Sequence, residues 1–221
     1  MRNFAVVMAL AGSLLAGCGG GDASDTEASK SPARILSDAQ RAVRTARSVH
    51  MTGKGPAARL DLSLVRGSKA TGTMDLFGGS VDLIRLHDDF YMRGDRSFWR
   101  HFGRNRLKLA LLSDRWVAAP SSLPALRGIA SLTDISGLSA MLAEHGKVVN
   151  EGVRTFRGQK VIALHDATEG GTLYLKATGI PYPVALLGGK NAHGDTVTFD
   201  RWNQHVVVRA PKNALSLGVG T

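Results

Sequence analysis

Cysteine is nearly absent from this chain: Cys18 is the only one among 221 residues. A single cysteine cannot form an intrachain disulfide, and a domain of this size can fold without one. Aromatic residues make up only 6% of the chain, so the interior is expected to consist mainly of aliphatic side chains and methionine. Beyond the N-terminal region no stretch reaches 18 continuous apolar residues, which predicts that no later segment spans a membrane as a helix.

The sequence patterns of known catalytic sites are also missing. The chain has no G-x-S-x-G elbow, no H-E-x-x-H pair and no glycine-rich phosphate loop, and its seven histidines are scattered. The short runs 87–89 (HDD) and 165–166 (HD) fall at predicted strand ends, where polar turn residues are common, although each is also a candidate acid–base or metal pair. We therefore predict that the protein is not an enzyme and holds no metal or catalytic cofactor.

The N-terminal region has the features of a bacterial lipoprotein signal. An apolar run of about 13 residues, from Phe4 to Ala16, follows a single positive charge and is too short to span a bilayer. It ends in LAGC, a lipobox formed by Leu15, Ala16, Gly17 and Cys18. This pattern predicts cleavage after residue 17 and a covalent diacylglyceryl lipid on the Cys18 thiol. Palmitate is an expected acyl chain of this lipid. An ordinary signal peptide with a chance cysteine is the alternative.

Residues 18–31 are predicted to be the acylated cysteine and a flexible tether, because 19–31 are polar, glycine-rich and without apolar periodicity. Two acyl chains are enough for stable membrane anchoring, so the protein is expected on the extracytoplasmic face of the cell membrane, or on an outer membrane if the host has one. Export separates it from nucleic acid, which therefore is not an expected partner despite a pI near 10.3.

Residues 32–221 are predicted to form a single α+β domain, most simply a monomer. Pro32 opens an amphipathic helix whose apolar positions include Ile35, Leu36, Ala39 and Val43. From residue 49 onward, apolar and polar residues alternate, which predicts strands with one apolar and one polar face. Such strands are typical of an antiparallel sheet that has one face in contact with water, its wet face. The predicted strands are 50–55, 58–67, 69–79, 80–95, 153–167 with a turn at Arg157-Gly158, 171–178, 181–189, 195–202 and 205–211. Residues 115–120 are predicted to be a short strand or an extended exit from the preceding helical segment.

Two further segments are predicted to be helical, namely 95–114 and 131–146. In the second, Thr133 or Asp134 is the candidate N-cap, and Leu138, Met141 and Leu142 form the apolar face. The helices are expected to cover the apolar face of the sheet, because an uncovered face of that size would aggregate.

This order of elements resembles the actinobacterial cell-envelope lipoproteins of the LppX/LprG kind, which have a LolA-like fold. The matching phrases are ILSDAQRAVRTARSVHMTGKG, DLIRLHDDFYMRGDRSFW, DRWVAAP, GTLYLKATGIPYPVALLGG and VTFDRWNQHVVVRAP, which together span most of residues 33–211. The resemblance implies a strongly curved antiparallel half-barrel, covered on its concave side by helices, with an apolar cavity between them. It also implies a lipid or lipoglycan ligand, outward lipid movement and a membrane exporter as a partner.

The apolar side chains that occupy every second position of the predicted strands are candidates for the lining of a cavity. A packed core would use the same side chains, so the sequence leaves a hollow and a filled half-barrel as alternatives. The candidates are Leu60, Leu62, Leu64, Met74, Leu76, Ile84, Leu86, Phe90, Met92, Leu173, Leu175, Val197 and Phe199.

Residues 93–115 form a basic segment with interleaved apolar side chains. Because such a segment is attracted to anionic lipid, Arg100, Arg104 and Arg106 are candidate contacts for headgroups or the membrane surface. A solvated helix face is the alternative.

Two functions remain open from the sequence. The first is a membrane-anchored lipoprotein that binds, and carries, lipid acyl chains in an apolar half-barrel cavity. The second is a non-enzymatic surface lipoprotein with a packed core that acts as a partner-binding or sensory module.

Overall fold

The structure, a computed structural model, describes residues 27–56, 58–142, 146–190 and 194–216. The lipobox and Cys18 lie outside the described residues, so their assignment stays a prediction. The first half of the described chain contains α1 (Pro32–Thr45), β1 (Ser48–Lys54), β2 (Arg59–Val65), β3 (Lys69–Leu76), β4 (Gly79–Leu86), β5 (Asp89–Gly94), α2 (Arg96–Phe102), α3 (Arg106–Leu112) and β6 (Val117–Pro120). The second half contains a 3-10 turn (Pro124–Leu126), α4 (Arg127–Leu132), α5 (Ile135–Met141), β7 (Val148–Phe156), β8 (Gln159–Asp166), β9 (Thr172–Lys176), β10 (Pro183–Leu187), β11 (Thr196–Asp200) and β12 (Leu215–Ser216).

The twelve strands of the described residues form one sheet, in the order β12-β6-β5-β4-β3-β2-β1-β11-β10-β9-β8-β7. All neighbours pair antiparallel except β12 and β6, which pair parallel. The join between β1 and β11 brings the two meanders into a single sheet. This confirms the predicted α+β class with a mostly antiparallel sheet.

Helix α1 begins at Pro32, as predicted, because proline lacks the N–H that the first turn leaves unpaired anyway. Its buried face packs into the common core. The guanidinium of Arg66, in the β2–β3 turn, donates to the carbonyl oxygens of Arg44, in the last turn of this helix, and of Ala46, just beyond its end. These carbonyls would otherwise lack an intrahelical partner, so Arg66 fixes the helix end to the sheet.

The predicted long strand 80–95 is instead the β4–β5 hairpin, with a tight turn at His87, whose φ is 56°. The register pairs Leu83 with Met92 and Arg85 with Phe90. The prediction that Ile84 and Leu86 share the face of Phe90 and Met92 is therefore wrong. A continuous strand would keep its even-numbered residues on one face. After the two-residue turn, however, the odd-numbered residues of β4 share a face with the even-numbered residues of β5.

The basic segment forms two short helices rather than one continuous helix, with Gly103 between them. Asp95 caps α2 by accepting a hydrogen bond from the amide of Phe98 at 2.7 Å, and its other carboxylate oxygen accepts from the amide of Ser80 in β4 at 3.0 Å. Asn105 caps α3 in the same way, through the amides that follow it. Each cap supplies acceptors for amides that a helix start leaves free, which explains where the two helices begin.

Of the two N-cap candidates in the predicted 131–146 helix, Thr133 and Asp134, it is Asp134 that caps α5: its side chain accepts from the amide of Ser136 at 2.8 Å. Burial of Asp134 opposes its ionisation, but hydrogen bonds from Ser136 and Ser68 and the charge of Arg85 outweigh this effect and lower the pKa of its carboxyl group. The cap is therefore held in its charged form, which suits a helix N-terminus.

Two further sequence predictions are corrected. Residues 27–31, predicted to belong to the tether, dock on the domain: Lys30 pairs with Asp38 at 2.8 Å, and Asn150 donates to the carbonyl of Ala28 at 2.8 Å. Residues 205–211, predicted to be a strand, have no regular secondary structure, although their valine run favours one. The edge next to β6 is paired instead by β12, which periodicity did not predict.

Candidate functional site

The inner face of the sheet carries the main apolar core, which the helices cover. Eleven of the thirteen predicted lining residues belong to this core or pack against it. They are Leu60, Leu62, Leu64, Met74, Leu76, Phe90, Met92, Leu173, Leu175, Val197 and Phe199. The two exceptions, Ile84 and Leu86, are displaced by the parity exchange at the β4–β5 turn.

Two apolar pockets lie between the sheet and the helices, on either side of Met141. One, of about 260 Å³, is enclosed by β1, β2 and β11 below and by α4 and α5 above. The other, of about 270 Å³, lies between α1, the end of α5 and strands β8 to β10. Met141 lines both, so its flexible thioether side chain lies at the boundary between them.

A third pocket, of about 230 Å³, lies toward the other end of the sheet. It is bounded by β5, β6, the two short basic helices and the 3-10 turn. Most of its wall is hydrocarbon, contributed by Met92, Leu109, Leu112, Ala119, Leu123 and Leu126. The same pocket is lined by Trp99 and, on its polar side, by Asn105 and Lys108.

The predicted lining residues divide into two groups. Leu60, Leu64, Met92, Leu173 and Val197 border one of the three pockets. The other six of the eleven pack into the core without lining any of these three pockets. The pattern of alternation along the strands did not identify the lining residues that the helices contribute, above all Trp99 and Met141. The sequence placed Met141 on the apolar face of its helix but did not assign it to a pocket.

Arg85 alternates with Ile84 and Leu86 along the predicted strand 80–95, so placing those two residues in the lining predicts that Arg85 lies on the opposite, wet face. The structure contradicts this prediction: Arg85 is only 8% exposed and lies on the core side of the sheet. Its guanidinium donates to the carbonyl of Ala130 at 2.7 Å and to the Thr133 hydroxyl at 3.2 Å, and it lies 5.4 Å from the Phe90 ring centroid. Arg85 therefore positions the α4–α5 segment that covers one of the pockets.

The basic segment is exposed, together with several of its apolar side chains. Arg100, Arg104 and Arg106 all face solvent. Leu107 is 83% exposed and Leu111, one helical turn further along α3, is 52% exposed. We call Arg100, Arg104, Arg106, Leu107 and Leu111 the basic apolar surface. It adjoins the third pocket, since α2 and α3 contribute to both.

The histidine runs noted in the sequence do not form reactive pairs. His87, Asp88 and Asp89 are exposed in and beside the β4–β5 turn. His165 faces Thr172 at 3.3 Å, while Asp166 accepts backbone hydrogen bonds in its turn, including one from Thr168 at 2.8 Å. Within the described ranges, no group of three or more histidine, cysteine or acidic residues is arranged to hold a metal ion.

One histidine lies in a cluster that the sequence did not indicate. On the face of the sheet opposite the core, the ring nitrogens of His50 lie 2.6 Å from Asp200 and 2.8 Å from Asp61, across three adjacent strands. Both carboxylates are more than half exposed, so the cluster lies at the solvent-facing surface of the sheet. Its side chains link β1 to β2 and to β11, which stabilises the pairing of these strands.

Two solved mycobacterial structures share this fold. LprF from Mycobacterium bovis superposes with a TM-score of 0.58 at 13% identity, over 86% of this chain and 99% of that one. The lipoprotein LppX from Mycobacterium tuberculosis gives a TM-score of 0.53 at 13% identity, over 81% of this chain and all of that one. This chain has the fold of LprF and LppX. The resemblance drawn from the sequence is thereby confirmed as structural similarity.

No protein-family model matches the chain, and no curated protein matches it significantly. Within the described residues, none of the helices has the length and apolar character needed to cross a bilayer.

Proposed function

We propose that this chain is a membrane-anchored extracytoplasmic lipoprotein whose domain binds lipid acyl chains between the inner face of the sheet and the helices. The observation that carries the proposal is the pair of apolar pockets that meet at Met141, within a fold shared with LprF and LppX. Acyl chains need an apolar, adaptable wall, which aliphatic and methionine side chains provide.

The proposal includes a curved sheet. We infer that it bends as a half-barrel with the helices on its concave side, so that the pockets are parts of one acyl-binding groove. Displacement of Met141 would join the two neighbouring pockets, each of which is smaller than the roughly 300 Å³ typical of a ligand site. The groove would thus open fully only around a ligand.

The proposal assigns membrane contact to two parts of the chain. Cys18, acylated through the lipobox at Leu15, Ala16 and Gly17, is the permanent anchor. The basic apolar surface makes the second contact, since its arginines attract anionic headgroups and Leu107 and Leu111 can enter the headgroup region. Such a surface beside a pocket suits a protein that takes up or delivers lipid or lipoglycan, with a membrane exporter as a candidate partner.

A titration with a fluorescent fatty acid tests acyl binding directly. Ala140 is exposed on α5 but lines the pocket of about 260 Å³, so Ala140→Phe is expected to fill that pocket and weaken binding at least fivefold. Ala110→Phe, at an exposed position on α3 outside the lining of the three pockets, is the matched control and should bind as the wild type does. Equal binding by both variants would contradict this location of the site.

A second candidate function is favoured by the packing of the core. Leu62, Met74, Phe90 and Leu175 are almost completely buried and fill much of the inner face. This packing is what a partner-binding or sensory lipoprotein would need. Saturable binding of the fatty acid by the wild type would count against this second function, and its absence would favour it.

A further inference from the structure

Phe77 occupies a turn position that disfavours its side chain. The β3–β4 turn consists of Phe77 and Gly78, between the paired residues Leu76 and Gly79. Both turn residues have positive φ, 57° at Phe77 and 76° at Gly78. Such turns favour asparagine or aspartate followed by glycine, because a bulky side chain is strained in the left-handed region. The choice of phenylalanine therefore does not follow from the turn.

Burial in the core does not explain this phenylalanine either, because Phe77 is 47% exposed. Its ring stacks on that of His101, with 3.7 Å between the ring centroids, and meets the edge of Phe102 at 6.0 Å. His101 is exposed as well, and Phe102 is 38% exposed. We call Phe77, His101 and Phe102 the aromatic tip. It packs on the buried Phe98, so it is fixed to the core while its outer surface faces solvent.

The charge around the aromatic tip is mainly positive. Residues 96–113, which include His101 and Phe102, contain five arginine or lysine residues and no acidic residue. The exposed Asp75, two residues before the turn, offsets only one of these charges. Exposed rings with a surplus of cations suit an anionic bilayer, since the cations attract the headgroups and the rings enter the boundary between headgroups and acyl chains.

We propose that the aromatic tip inserts into an anionic bilayer, with the rings of Phe77 and Phe102 at the boundary between headgroups and acyl chains. The end of the strands that carries the β3–β4 turn therefore faces the membrane. This inference rests on the proposed function, which places the domain at a membrane. It goes further by assigning an apolar contact outside the basic apolar surface, on a turn of the sheet, and so an orientation of the domain.

The variant Phe77→Asn separates insertion from folding, because asparagine suits this turn but does not enter a bilayer. In the chain from residue 18 carrying Cys18→Ser, it should bind phosphatidylglycerol vesicles roughly fivefold more weakly or less, since binding scales with the apolar area inserted. It should unfold at an equal or higher urea concentration. The ratio of affinities should persist at high salt, which screens the cations but not the apolar contact. Equal affinities, or a ratio that disappears at high salt, would overturn the inference.

Ile180→Asn is the matched control. Ile180 is 55% exposed in the turn between β9 and β10. The pairing registers from β3 through β2, β1 and β11 to β10 and β9 place this turn at the opposite end of the strands from Phe77. Ile180→Asn should therefore bind the vesicles as the wild type does. Equal weakening by the two variants would indicate unspecific adsorption of exposed apolar residues and would overturn the inference.

A nitroxide label gives a readout that a merely structural role of Phe77 would not move. The chain with Cys18→Ser has no other cysteine, so Phe77→Cys and Ile180→Cys each carry a single label. On vesicles, the label at position 77 should become more accessible to oxygen, which concentrates in the bilayer, and less accessible to a water-soluble nickel chelate. The label at position 180 should not change. A label at position 77 that stays open to the chelate on bound vesicles would contradict insertion.

Failure of this inference can be told apart from failure of the proposed function. If reversing the charges of Arg100, Arg104 and Arg106 weakens vesicle binding but Phe77→Asn does not, the aromatic tip does not insert and suits a protein partner instead, while the proposed function stands. If the wild type does not bind the vesicles at all, the membrane contacts of both proposals fail. Acyl binding in the groove is then still decided by the fatty acid titration.

Discussion

The guanidinium of Arg85 donates a hydrogen bond to the carbonyl oxygen of Ala130 at 2.7 Å, which joins strand β4 to the end of helix α4. The same guanidinium reaches the buried hydroxyl of Thr133 at 3.2 Å. This connection holds the helical segment over the sheet, so the shape of the candidate lipid site depends on one buried cation.

Loss of Arg85 should therefore destabilise the protein strongly. Arg85→Ala removes the donor to the half-buried carbonyl of Ala130 and to the buried hydroxyl of Thr133 and creates a cavity, so the free energy of unfolding should fall by about 2–4 kcal/mol. Arg93→Ala, on the next strand, removes an exposed pair with Asp82 at 2.6 Å and should cost about 0–1 kcal/mol. Urea unfolding measures both values. Similar losses in the two variants would contradict the role assigned to Arg85.

Stability should fall in acid because of Asp134. Its pKa in the folded protein is lowered, so its contribution is fully present above the unfolded value of about 4 and is lost as pH falls through the folded pKa. Asp134→Asn keeps a good N-cap but cannot titrate. Urea unfolding from pH 7 to pH 3 should show a steeper loss for the wild type than for Asp134→Asn. Parallel curves would show that Asp134 does not contribute.

Met141 should limit the length of chain that the groove accepts. Met141→Ala removes the side chain at the boundary of two pockets, which should raise the affinity for an 18-carbon fatty acid at least threefold, since each additional buried methylene contributes about 0.8 kcal/mol. An eight-carbon fatty acid can occupy one pocket and should be unaffected. An equal change for both chain lengths would argue against a joined groove.

The basic apolar surface should bind anionic membranes. Reversing the charges of Arg100, Arg104 and Arg106 to glutamate should weaken association with phosphatidylglycerol vesicles at least tenfold, because each basic residue near such a surface contributes about 1 kcal/mol. Reversal of Arg154, Lys160 and Lys176, exposed near the opposite edge of the sheet, changes the net charge equally and is the control. Vesicle sedimentation at low and high salt measures the effect. Equal loss in both triple variants would indicate a net-charge effect only.

Lipidation should depend on Cys18. Cys18→Ala is expected to abolish palmitate incorporation and to block cleavage after residue 17, whereas Ser24→Ala, in the predicted tether, should leave both unchanged. Metabolic labelling with palmitate followed by electrophoresis measures both events. Labelling of Cys18→Ala would show that the lipobox is not the modification site.

The sequence was sufficient for the class of fold and for most of its inner face. Alternation within single strands places Leu62, Leu64 and Met74 correctly, because β2 and β3 both bury their even-numbered residues. It failed at His87, where a tight turn exchanged the parity and so misplaced Ile84, Leu86 and Arg85.

The pockets could not be predicted from such patterns. Periodicity identifies which side chains turn inward, but it does not give the distance between the helices and the sheet. Met141 and Trp99 line pockets because of where α5 and α2 dock, and docking depends on long-range contacts such as the one between Arg85 and Ala130.

Native mass spectrometry tests the central claim most directly. The chain from residue 18, carrying Cys18→Ser so that the anchor does not enter the measurement, would be purified without detergent from a lipid-producing bacterial host. Lipid binding predicts a stoichiometric additional mass that organic extraction identifies as an acyl lipid. A clean mass of the protein alone, persisting after incubation with host lipid extract, would contradict lipid binding and favour the partner-binding function.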